Sequence, residues 1–189
     1  MYRPIKNRQV GGLTVFASWS IFELSYRRID IEMEVGVIKC IMGIDPGASG
    51  AIAFYYPEFP SRIGVYDCPV VDGEINAVHL AELIKSHEPE LAVIESVGPM
   101  PKQGVSSTFK FGVAYGMARG VVSALLVPQM FVTPTKWKKH YSLSAEKEKA
   151  RELAINTWPS CSMFTRKKDH GRAEAALLAK YGAAVTIKN

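Results

Sequence analysis

Residues 38–54, IKCIMGIDPGASGAIAF, decide the fold. An apolar run ends on one carboxylate at Asp45, the chain turns through Pro46 and Gly47, and a second apolar run begins at Gly50. Two buried strands joined by a tight Pro-Gly turn make an antiparallel pair. A strand pair that could be wholly apolar has no packing reason to hold a charge, so Asp45 is the first residue to explain. Asp before Pro-Gly also suits a turn on its own account.

Working outward from this pair, 62–70 (RIGVYDCPV) reads as a third strand completing an antiparallel meander. A helix is expected over 76–87, where Ala77, Leu80, Ala81 and Ile84 keep helical spacing, and 90–96 (ELAVIES) is a short apolar strand ending on Glu95. Residues 106–126 form a long helix with Gly112, Gly116 and Gly120 at every fourth position, which permits close approach by another helix. A fifth strand is expected over 129–137 (QMFVTPTKW), and a helix over 144–158 capped by Ser144. The last helix, 169–182, is ended by Gly182 and carries Glu174 among alanines and leucines. Three strands followed by alternating helix and strand give an α/β fold: a mixed five-stranded sheet, three strands antiparallel and then parallel ones, with helices on both faces.

The chain of 189 residues, 48% hydrophobic, suits one domain with a substantial core. That domain is expected over 37–189. Residues 1–36 lack clear periodicity and are too polar after Arg27 for a signal peptide, so they read as an N-terminal extension, either disordered or upstream of the natural start. The apolar runs fall short of the ~20 residues a membrane span needs, so no membrane association is expected. Cys40, Cys68 and Cys161 have no metal-ligand spacing and suit buried thiols in a reducing cytoplasm.

The net charge of +5 is concentrated rather than spread: between Lys136 and Arg172 ten Lys and Arg face four acids, leaving the rest of the chain close to neutral. A local basic surface fits a phosphate-backbone partner. Interleaved Glu146, Glu148 and Glu152 also fit a solvated helix face.

Glu95 and Glu174 share the oddity of Asp45, each an acid on an otherwise apolar element. Buried acids are costly unless paired or metal-bound. Three of them on distant segments point to a common site, and hard divalent cations such as Mg2+ prefer such oxygen ligands. Each has a plainer reading: Glu95 as an exposed strand end, Glu174 as a surface partner of Lys180 or Arg172.

The segments GIDPGASGAIA (43–53), LAVIESV (91–97), SSTFKFGVAYGMARGVV (106–122), TPTKWKKHYSLSAEKEKAR (133–151) and KKDHGRAEAALLA (167–179), in that order, resemble the RuvC-like Holliday-junction resolvases, particularly their phage-type branch. The resemblance runs from about Val37 to Gly182. It implies a ribonuclease-H-like fold, a homodimer, a cytoplasmic setting in a bacterium or a phage-infected host, and incision of branched DNA, four-way junctions above all. It further implies one or two Mg2+, with Mn2+ able to substitute, an in-line attack of water on the scissile phosphate and a retained 5′ phosphate.

Carried over by position, Asp45, Glu95 and Glu174 match the family's acids, and His170 is the expected catalytic partner one turn before Glu174. Asp169 matches as a helix cap that also reaches the metal, although the family's usual spacing of three falls here on Gly171. Expected DNA contacts are Lys110, Lys136, Lys138, Lys139, Lys147, Lys149, Arg166, Lys167, Lys168 and Arg172. Pro99, Met100 and Phe109 are placed where a loop could wedge open a junction, with ordinary packing the alternative. Three rivals remain. An actin-like kinase needs a second domain and phosphate loop for which the chain is too short. The others are an inactive junction-binding module and a nuclease of the same fold acting on other branched DNA or on RNA.

Overall fold

The computed structural model describes residues 38–47, 49–98, 104–144 and 146–187; the side chain of Lys147 is also outside the described set. The N-terminal extension and the Pro99 and Met100 wedge therefore lie outside the described residues.

The strands are β1 (Ile41–Asp45), β2 (Ala51–Tyr55), β3 (Ile63–Asp67), β4 (Val70–Val71), β5 (Glu74–Ile75), β6 (Leu91–Glu95) and β7 (Gln129–Val132). The α-helices are α1 (Ala77–His87), α2 (Val105–Ala124), α3 (Pro134–His140), α4 (Lys147–Thr157) and α5 (His170–Thr186), and 3-10 turns at Ser162–Phe164 and Lys167–Asp169 precede the last. Five strands form one sheet in the order β3-β2-β1-β6-β7. The β1-β2 and β2-β3 pairs are antiparallel, while β1-β6 and β6-β7 are parallel, as expected from the meander and the later crossovers.

Strand alternation divides the core. Met42, Ile44, Ile52, Phe54, Ala92 and Ile94 face the layer that contains Leu80 and Ile84 of α1 and Ala114, Ala118 and Val122 of α2. Ile41, Ala51, Ala53, Tyr55, Leu91 and Val93 face the layer of α5, with Trp137 of α3 and Ala150 and Ala154 of α4. Helices thus cover both sheet faces. Helix α5 lies directly on β1, because a Cβ on Gly43 would come within 2.1 Å of the Ala175 carbonyl oxygen. Its buried face is rich in alanine (Ala173, Ala175, Ala176, Ala179, Ala183), and small side chains permit that approach.

Four sequence expectations are corrected. The third strand stops at Asp67, and Val70 opens a separate hairpin instead, turning on Asp72 (φ 52°) and Gly73 (φ 81°). Two successive positive φ values are what an Asp-Gly hairpin turn favours. The fifth strand ends at Val132, because Thr133 caps the new helix α3, accepting from the Lys136 amide, and Pro134 occupies its first turn. Gly182 does not end the last helix, which runs on to Thr186; it lies against Val93, whose Cγ2 would be 2.5 Å from an added Cβ. In addition, the 144–158 helix starts only at Lys147, after Ser144 has accepted from the Glu146 amide.

No helix among the described residues is long and apolar enough to cross a membrane. Cys40 and Cys68 are buried, and burial pushes their thiols up to about 11 and about 12, so both stay protonated and unreactive.

His87 closes α1 over the sheet. Its ring stacks on Phe54 at 3.9 Å between centroids, Nδ1 lies 2.7 Å from the Tyr56 hydroxyl, and Nε2 lies 3.0 Å from that of Tyr66. Burial, with the Arg62 charge second, holds the imidazole below its ordinary 6.5. The unfolded chain therefore takes up this proton first, and stability falls as pH drops below 6.5, levelling off below the folded value. Urea midpoints compared between about pH 7.5 and about pH 5.5 are expected to fall more for the native chain than for His87→Gln. Equal losses would remove His87 as the source.

Candidate metal-dependent active site

The register that builds the sheet also gathers the acids. Ile44 of β1 pairs with Ile94 of β6, so Asp45 and Glu95 are the next residues at the same ends of two neighbouring parallel strands. Alternation turns both toward the α5 face, since Ile41 and Val93 already point there. Asp45 is half-buried and Glu95 is buried.

Helix α5 supplies the third acid. A Cβ on Gly171 would lie 2.9 Å from Asp45 Oδ2, so the first turn of α5 rests on the Asp45 carboxylate. Glu174 is one turn further along and buried. The structure therefore places two of the sequence-predicted acids, Asp45 and Glu95, at one end of the sheet and the third, Glu174, on the helix whose first turn rests on Asp45.

Helix α3 holds two of them with consecutive residues. The Trp137 indole Nε1 donates to Glu95 Oε1 at 2.7 Å, a buried bond that fixes the carboxylate. The Lys138 ammonium lies 2.8 Å from Glu174 Oε1, with side chains only 16% and 8% exposed. That contact is one of charge: Glu174 Oε1 accepts no well-aligned hydrogen bond among the described residues. Sequence reading assigned Lys138 to DNA and gave Trp137 no role. Taking 129–137 as strand hid both, although Thr133-Pro134 is a helix-start signal.

Asp169 and His170 occupy the junction between the last 3-10 turn and α5. Asp169 is 2% exposed. It accepts from the Arg166 backbone amide at 2.8 Å and from the Arg166 guanidinium at 2.8 Å, with Arg172 Nη1 3.3 Å away. Burial pushes the Asp169 carboxyl up, but the Arg166 hydrogen bonds and the two guanidinium charges outweigh it and hold the group below the usual carboxylate range. Arg172 continues the chain of charges to Asp67 at the end of β3, donating at 2.6 and 2.5 Å. This clamp ties the start of α5 to the sheet and so holds Gly171 against Asp45. His170 is half-buried, with Nδ1 3.2 Å from the Lys167 carbonyl oxygen, on the same helical face as Glu174.

The expected DNA contacts divide by what they touch. Lys110, Lys136, Lys139, Lys167 and Lys168 are exposed. Lys149 pairs with Glu152 at 3.1 Å on the surface. Arg166 is bound to Asp169, and Arg172 is taken up by Asp67 and Asp169.

A divalent cation suits this donor set in chemistry: the donors are carboxylate oxygens, and a cation, the Lys138 ammonium, already neutralises the buried Glu174. As they stand, no three Asp, Glu, His or Cys side chains among the described residues form a group that could hold an ion together.

No protein-family model and no curated protein sequence matches the chain. Solved structures do. The T. thermophilus RuvC structure determined with a Holliday junction substrate is 16% identical, with a TM-score of 0.54 over 77% of this chain and 95% of that one. A second structure of Thermus thermophilus RuvC gives 16% identity and a TM-score of 0.53 over 77% of this chain and 96% of that one. With a β3-β2-β1-β6-β7 mixed sheet, helices on both faces and this likeness, the chain has the RuvC-like resolvase fold.

Proposed function

We propose that the protein is a structure-specific DNA endonuclease that resolves four-way junctions by Mg2+-dependent phosphodiester hydrolysis. The observation that carries this reading is the placement of Asp45 and Glu95 at one sheet end, with Glu174 on the helix whose first turn rests on Asp45. Asp45, Glu95 and Glu174 would hold the ions; Mg2+, when bound, activates water and stabilises the leaving oxygen. Trp137 fixes the orientation of Glu95 through its indole N–H. The Arg166, Asp169, Arg172 and Asp67 clamp holds the α5 start against Asp45. His170, one turn before Glu174, would orient the attacking water or accept its proton. Exposed Lys136, Lys139, Lys167 and Lys168 would seat the DNA backbone by phosphate contacts.

Resolution of a junction requires cuts in two strands, which a homodimer supplies. Helix α2 supports this assembly. A Cβ on Gly112, Gly116 or Gly120 would meet nothing within 4 Å, so the stripe packs on no helix of the described chain. Phe109, Val113 and Met117 are exposed along the same helix. A second copy is the partner that both features fit.

Substrate class is tested by incubating the protein in Mg2+ with a four-way junction, a flap, a linear duplex and an RNA–DNA hybrid. Cleavage of the junction in preference to the other three is expected. Preferential cleavage of the hybrid or the flap would assign the same site to another branch of the fold.

A further inference from the structure

Beside α3 opens a cavity of about 670 Å³, lined by Pro134, Thr135, Lys138, Lys139, Ser142, Leu143 and Ser144. Two ammonium groups and three hydroxyls are the donors that recognise a tetrahedral oxyanion, and among these residues there is no acid. Lys138 belongs to this cavity and to the carboxylate site at once, since its Nζ lies 2.8 Å from Glu174 Oε1. The neighbouring residue, Trp137, is locked under the sheet end by its bond to Glu95, so the helix itself is anchored. The Lys138 side chain is the element that can choose between two anions.

Resting on the nuclease reading above, we infer that Lys138 is a counterion switch that couples metal binding to DNA binding. Without DNA, the ammonium neutralises Glu174 and opposes a divalent cation there, because two cations cannot share one carboxylate without mutual repulsion. A phosphodiester entering the cavity offers Lys138 a second anion. As the ammonium turns to it, Glu174 loses its counterion and its carboxylate becomes a stronger ligand for a cation. By linkage, the cation in turn raises affinity for the phosphate by the same factor. The device would keep the carboxylates from binding metal strongly until a backbone is in place.

The test measures Mn2+ binding to the full chain by electron paramagnetic resonance, with sulfate as the oxyanion probe against chloride at equal ionic strength. Lys138→Met, or Lys138→Gln should Met not fold, is expected to bind Mn2+ on the order of tenfold more tightly than the native chain without any oxyanion. Lys138→Arg, which keeps the charge, stays near the native value. Sulfate tightens Mn2+ binding in the native chain and leaves Lys138→Met unmoved. Adding Glu174→Gln to Lys138→Met cancels the gain. Equal Mn2+ affinity in the native chain and both neutral variants, or an identical sulfate response, overturns the switch. Where the native chain still cuts junctions in Mg2+, that result overturns the switch alone. Absence of both Mn2+ binding and cleavage in the native chain overturns the nuclease reading with it.

Discussion

Asp45→Asn, Glu95→Gln and Glu174→Gln are each expected to lower junction cleavage on the order of 10³-fold or more, while junction binding stays largely intact. Each change removes one charge from the sheet end and leaves the shape and exposed lysines in place. For Glu174→Gln the charge contact with Lys138 is lost as well, so the ammonium is left beside a neutral amide and remains available to phosphate. Cleavage rates and gel-shift affinities measured on the same preparations check the prediction. Native-like turnover in any one variant would remove that residue from the site.

Gly43→Ala is expected to be the most damaging single-methyl change in the sheet. The added Cβ would meet the Ala175 carbonyl oxygen at 2.1 Å and the Ala179 amide nitrogen at 2.5 Å, both backbone atoms of α5 that no rotamer change can move. The helix must lift from β1. Overpacking of a core commonly costs about 1–3 kcal/mol, and a clash with backbone belongs at or above about 3 kcal/mol. That is a large part of the roughly 5–15 kcal/mol that keeps a domain folded. Because α5 also carries Gly171 and Glu174, any surviving folded protein should lose activity with stability. Urea unfolding measures the first effect; a midpoint within error of the native chain would show that α5 does not sit where Gly43 demands it.

The residues behind these two predictions were not equally legible. Asp45, Glu95 and Glu174 stand out in the sequence because each interrupts an apolar element, and the cost of burying a charge marks such positions without any structure. The first two strands of the meander and β6 were equally legible, since their apolar runs are bounded by clear turn residues. Helix α3 was not. QMFV runs into TPTKW without an apolar break, and reading the segment as one strand concealed the Thr133 cap and Pro134 start. With α3 lost, the partners it supplies, Trp137 to Glu95 and Lys138 to Glu174, had no route into the reading. Both depend on tertiary placement over 42 and 36 residues of chain, which local patterning does not encode. The β4-β5 hairpin was hidden similarly: Asp72-Gly73 is a strong turn signal, but two-residue strands are too short to show a period. Gly182 misled for another reason. A glycine near a helix end suits a stop, whereas this one is there to let α5 touch Val93.

The network at Asp169 shows the same boundary between composition and placement. Arg166, Lys167, Lys168 and Arg172 read as one basic cluster in the sequence. In the fold both arginines are tied to acids, Arg172 largely buried between Asp67 and Asp169 and Arg166 on Asp169 with its side chain still exposed, while the two lysines pair with no acid side chain among the described residues and remain at the surface. Charge counting located the region; only geometry separates the side chains that fasten α5 from those that can meet phosphate.

The central claim is tested most directly by a four-way junction carrying a separate end label on each strand, incubated with the native chain in Mg2+ and in EDTA. The expected result is paired incision of two opposing strands near the branch point, with 5′ phosphates at the nicks, in Mg2+ alone. A junction that is bound yet left intact in Mg2+, or cut equally in EDTA, would contradict the account.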